Sequence, residues 1–136
     1  MKTIKLLAIA LAAFALYACE QATSPPSAVS FATDVKPVLQ AKCLSCHDVA
    51  SEGVAASGLN LSDYDGVMAG TKFGPVVVAG SSDSSALYLT VARKTAPEIQ
   101  LPPQHRDALA EGRGVALTDA EIATFRDWID QGAANN

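Results

Sequence analysis

Large rings are scarce in this chain: aromatic residues make up 6% of its 136 positions. So few of them leave a small core short of bulk, and a large apolar cofactor would help such a chain fold. Basic charge is scarce too, with 10 Lys and Arg against 14 Asp and Glu. No basic patch faces phosphate, which argues against nucleic acid as a partner. The apolar run "LLAIALAAFALYA" falls short of the roughly 20 residues that a bilayer-spanning helix needs. No internal repeat is visible, and the length fits one domain. Cysteine occurs three times and histidine twice, so any metal or redox chemistry must come from few side chains.

The start of the chain has its own organisation. Lys2 and Lys5 precede the uncharged apolar run, and small residues lead up to Cys19. That is the anatomy of a secretory signal over residues 1–18. Leu16-Tyr17-Ala18-Cys19 resembles the bacterial lipobox, in which the cysteine is acylated and becomes the mature N-terminus. An exposed unpaired thiol is a liability in an oxidising compartment, which also favours a lipid on Cys19. Residues 19–30, rich in Ser and Pro, read as a lipid-anchored flexible tether. Residues 31–136 form the domain. Without Lys2 and Lys5 the chain carries 8 basic and 14 acidic residues, a formal charge of −6. Such a surface suits a basic protein partner through steering of encounter.

Helical spacing of Val35, Val38, Leu39 and Cys43 predicts a helix from Ser30 into the cysteine pair, capped by Thr33 or Asp34, with Pro37 in its first turn. A short helix should start at Ser62 or Asp63 and end at Gly70. Another, of about three turns, should follow the serines of "SSDSSALYLTVARK". "APEIQLPPQHRD" must be a loop. Thr118-Asp119-Ala120-Glu121 is a capping box, with Leu117 and Ile122 as its hydrophobic staple. Ile122, Phe125, Trp128 and Ile129 share one face of the helix it opens, and Gly132 closes that helix.

The chemistry gathers in "AKCLSCHD": Cys43, Cys46 and His47. Zinc needs about four ligands in a structural site and three plus water in a catalytic one. After export only the distant His105 could join these three, and His47 directly after Cys46 is awkward for chelating the same ion. A thioredoxin-type dithiol wants a βαβ setting, whereas helix precedes Cys43 here. A plain disulfide leaves His47 unexplained. Haem c accounts for all three residues and their order: thioether bonds from Cys43 and Cys46, and His47 as proximal iron ligand.

In order along the chain, "DVKPVLQAKCLSCHD", "GLNLSDYDGVMAG", "VVVAGSSDSSALY", "LPP" and "LTDAEIATFRDWIDQGA" resemble the small single-haem domains of class I c-type cytochromes. The likeness spans about residues 31–134. It implies an all-α, cytochrome c-like helical fold wrapped around one covalently attached haem c, with the N-terminal and Trp128 helices crossing. In that family Met-Pro-Pro supplies a methionine as sixth iron ligand, but this chain has Leu101-Pro102-Pro103, and leucine has no donor atom. The sixth position then falls to His105, to Met68, to a lysine (Lys72 or Lys94), or to no protein ligand with Leu101 over the iron. Leu101, Val38, Leu39 and Trp128 are expected to give the haem a low-polarity shell. The resemblance points to a non-enzymatic one-electron carrier with redox proteins as partners, and the signal-like start with its lipobox places that carrier in the bacterial cell envelope, periplasm-facing and membrane-anchored. The alternative is a five-coordinate haem protein that binds small gases or has peroxidase activity.

Overall fold

The computed structural model describes residues 27–103 and 115–136, and among them every regular element is helical. Residues 1–18, expected to be an export signal, together with Cys19 and His105, lie outside the described residues. A π-helical turn, Phe31–Val35, runs directly into α1, Lys36–Lys42. Its cap is Ser30, not the expected Thr33 or Asp34. The Ser30 hydroxyl accepts from the Thr33 N–H at 3.3 Å, while the Asp34 carboxylate accepts from the Ser30 N–H at 2.7 Å. Asp34 thus answers the cap rather than forming it, a reciprocal arrangement that satisfies two donors at once. Pro37 falls in the first turn of α1, where its missing N–H costs least.

Four short elements follow: α2 (Leu44–His47), α3 (Glu52–Ser57), α4 (Tyr64–Ala69) and α5 (Ala86–Val91). Asp63 caps α4, its carboxylate accepting from the Gly66 N–H at 2.7 Å. Helix α5 is shorter than the serine-rich sequence suggests. A 3-10 turn, Ser82–Ser84, precedes it, and Ser85 between them is extended. The Ser85 hydroxyl explains the break: it is fully buried, accepts from the Val78 N–H at 2.8 Å and donates to the Ser81 carbonyl at 2.8 Å. A serine side chain that can bond nearby backbone offers the chain an alternative to continuous helix.

The last helix, α6 (Asp119–Asp130), opens with the capping box read from the sequence. Thr118 accepts from the Glu121 N–H at 3.2 Å, and Glu121 accepts from the Thr118 N–H at 2.7 Å. Phe125, Trp128 and Ile129 on this helix are fully buried. Trp128 meets Phe31 at 5.5 Å between ring centroids, and Tyr64 closes the cluster edge-on to Phe31 at 5.3 Å. The segment at Ser30–Ala32 and the C-terminal Asn136 are tied there as well. Asn136 accepts from the Ser30 hydroxyl at 2.6 Å and the Ala32 N–H at 3.0 Å through its carbonyl, and from the Phe31 N–H at 2.9 Å through its side chain. These bonds satisfy N–H groups that a helix start leaves without intrahelical partners. The N-terminal and C-terminal helices therefore make one brace, with the remaining elements wrapped beside it.

Candidate functional site

Cys43 closes α1, its N–H donating to the Leu39 carbonyl at 2.8 Å. The backbone then turns through α2, with the Cys46 and His47 N–H groups both donating to the Cys43 carbonyl, at 3.1 and 2.9 Å. Residues three and four apart on a helical turn share a face. Cys43, Cys46 and His47 accordingly line the same cavity.

That cavity measures about 520 Å³, within the roughly 300–1,000 Å³ usual for cofactor sites. Its walls are chiefly the carbon surfaces of Leu59, Leu61, Val76, Leu87, Val91 and Leu101. Three hydroxyls on the lining are engaged with backbone: Ser57 donates to Gly53, Thr71 to Gly74 and Thr90 to Ala86, while the Ser45 hydroxyl donates to the Cys46 sulfur at 3.9 Å. Lys42, also on the lining, faces Glu121 at 4.0 Å. On one side the cavity opens to solvent past Phe73 and Ile99, which are 84% and 58% exposed.

His47 is held at three points. Its N–H bonds Cys43, its carbonyl accepts from the Leu61 N–H at 2.9 Å, and Nδ1 lies 3.1 Å from the Leu59 carbonyl oxygen. A carbonyl can only accept, so Nδ1 carries a proton, and in the neutral imidazole Nε2 is then the nitrogen with the lone pair. This is the tautomer a metal-binding imidazole needs, with the outer bond fixing the ring's orientation.

The thiol of Cys43 is pushed up to about 11, first by burial, then by the nearby Cys46 and Glu121, with Lys42 pulling the other way. A dithiol redox centre works with a lowered thiol pKa, so this environment opposes that reading. For zinc, no group of three or more His, Cys, Asp or Glu side chains among the described residues is placed to hold a metal ion. Haem fits better. Two thiols on one turn, an imidazole with free Nε2 and a large apolar cavity meet what a covalently attached porphyrin requires.

Other residues singled out in the sequence are placed differently. Leu101 does line the cavity, together with Pro102 and Pro103. Val38, Leu39 and Trp128 do not: Leu39 and Trp128 are fully buried in the core together with Val35 and Phe125, and Val38 is half-buried against it. Met68 is half-buried against that core and is not on the lining. Lys94 is tied to Asp83 at 3.0 Å and stacks over Tyr88, and Lys72 lies over the Phe73 ring. Reading side chains alone missed the Leu59 carbonyl. Its segment, "GLNL", drew notice only as part of a family likeness, since a backbone acceptor leaves no signature in residue type.

No curated protein and no solved structure matches the chain. A family model described as Planctomycete cytochrome C matches residues 43–105. The match starts at the first thiol of the cavity and runs through His47, the Leu59 segment and the Leu101 loop. It covers just under half of the chain and supports a cytochrome c-like domain, a family in which haem c is bound covalently.

Proposed function

We propose that this protein is a single-haem c-type cytochrome that carries one electron at a time between redox proteins of the bacterial cell envelope. The observation that carries the reading is the His47 ring. It stands on the same turn as Cys43 and Cys46, beside an apolar cavity, with Nδ1 committed to the Leu59 carbonyl. Cys43 and Cys46 hold the porphyrin by thioethers, and His47 presents Nε2 to the iron. The bound haem supplies reversible one-electron chemistry tuned by axial ligands, burial and surrounding dipoles. Leu59, Leu61, Val76, Leu87 and Val91 keep the surroundings of that group low in polarity and restrict water. The solvent-facing side at Phe73 and Ile99 gives a partner protein close approach.

His105, two residues beyond the cavity-lining Pro103, is the sixth ligand in this reading, because Leu101 has no donor and Met68 stands off the lining. Residues 1–18 act as an export signal, Cys19 carries the lipid, and residues 19–30 tether a periplasm-facing domain. The acidic surface favours basic partners.

The test is the absorption spectrum of the exported protein, matured in cells that attach haem c, recorded reduced with and without CO. A low-spin spectrum indifferent to CO is expected, and His105→Ala should convert it to one that responds. A wild-type spectrum that shifts with CO would instead favour the ligand-binding alternative, with Leu101 beside an open iron.

A further inference from the structure

Gly53 stands inside α3, one residue past its start, where its lack of a side chain needs a reason. Glycine is a poor helix residue, and its use there marks a place where another group comes close. The neighbours are those of the site. A Cβ built on Gly53 would overlap the Cys46 carbonyl oxygen and lie 3.0 Å from His47 Cε1. Cε1 is the ring carbon between the two imidazole nitrogens, so Gly53 packs against the edge that joins the Leu59-bonded Nδ1 to the free Nε2. Ser51, just before α3, completes the arrangement. Its single hydroxyl proton is shared between the Cys46 and the Asp48 carbonyls, which both lie within hydrogen-bond distance. The start of α3 is thereby tied to the turn that carries the thiols and the imidazole.

We propose that Ser51 and Gly53 are positioning residues that set the orientation of the His47 ring and the strength of its bond to the Leu59 carbonyl. The inference rests on haem ligation by His47, as proposed above. A bond from Nδ1–H to a carbonyl raises the basicity of the imidazole, and a more basic ligand favours the oxidised iron. Loosening that bond therefore raises the midpoint potential. Outer partners of metal-binding histidines are typically worth about 10–100-fold in metal affinity or activity, and the low end of that range, acting on the oxidised form alone, is a tenfold change in the redox equilibrium. A tenfold change in a one-electron equilibrium is about 59 mV.

The experiment compares midpoint potentials of the full-length, haem-loaded wild type with Gly53→Ala, Ser51→Ala and Ser51→Thr. Gly53→Ala should shift the potential upward by about tenfold in the redox equilibrium, Ser51→Ala should shift it less in the same direction, and Ser51→Thr should return it to the wild-type value. Gly132→Ala serves as a control: its φ of +102° makes any side chain strained, yet it lies outside the cavity lining, so it should lower stability and leave the potential alone. Haem-loaded Gly53→Ala and Ser51→Ala with wild-type potentials overturn the proposal, as does an equal shift in Gly132→Ala. If Gly53→Ala yields no holoprotein, the Ser51 pair alone decides. A wild type that carries no haem overturns the cytochrome reading itself, a result distinguishable from all of these.

Discussion

Replacing both Cys43 and Cys46 with alanine is expected to abolish covalent haem, so that a denaturing gel of the variant shows no haem stain where the wild type stains fully. The argument is one of bond type. Coordination by His47 and apolar contact along Leu59, Leu61 and Val76 are lost when the chain unfolds, whereas thioethers persist. Cys43 and Cys46 are the thiols on the cavity, and both are free. Their removal therefore leaves only contacts that denaturation destroys. Stain in the double variant would mean that the haem is fastened elsewhere, and the roles given to these two residues would be wrong.

Trp128→Ala should have the largest effect on stability, about 3–5 kcal/mol. The indole is fully buried, and its N–H donates to the Ala134 carbonyl at 2.9 Å. It also forms the junction of the brace, against Phe31 and, at 6.4 Å, Tyr64. Truncation would leave a cavity between elements that cannot close over it, because Tyr64 is itself pinned by its hydroxyl to the Ala133 carbonyl. Domains of this size are stable by only about 5–15 kcal/mol, so the loss takes a large share of the total. Urea unfolding of the haem-loaded variant measures it as a fall in the midpoint at similar slope. Trp128→Phe should lose less, since it keeps a ring in the cluster. A change below about 1 kcal/mol in Trp128→Ala would show that the aromatic cluster does not hold the two ends together.

Much of this architecture is legible in the sequence, and the reason lies in how local the signals are. The box at Thr118–Glu121 is complete within four residues, so it specified the start of α6 and, through the helical period, the burial of Phe125, Trp128 and Ile129. Cys43, Cys46 and His47 share a face for the same reason. What escaped depended on distant partners or on backbone. Ser85 does start α5, but its buried hydroxyl is spent on Val78 and Ser81 rather than on capping, and the serines before it stand in a separate turn, so the helix is shorter than expected. Val38 and Leu39 have the right period for a face beside the cysteines, but the period does not say which neighbour that face meets, and the neighbour is the core. Leu59 contributes a carbonyl and Gly53 contributes an absence. Neither is visible as chemistry until the chain brings it to His47.

The central claim is that the turn from Cys43 to His47 holds one haem c. The most direct measurement is the alkaline pyridine haemochrome spectrum of the purified protein, made with haem-attachment machinery, together with the haem-to-chain ratio. The account predicts one haem per chain, not extractable by acidified solvent, with the reduced band of a haem whose two vinyl groups have become thioethers. A colourless protein, or a haem that extracts freely and shows intact vinyl groups, would contradict it.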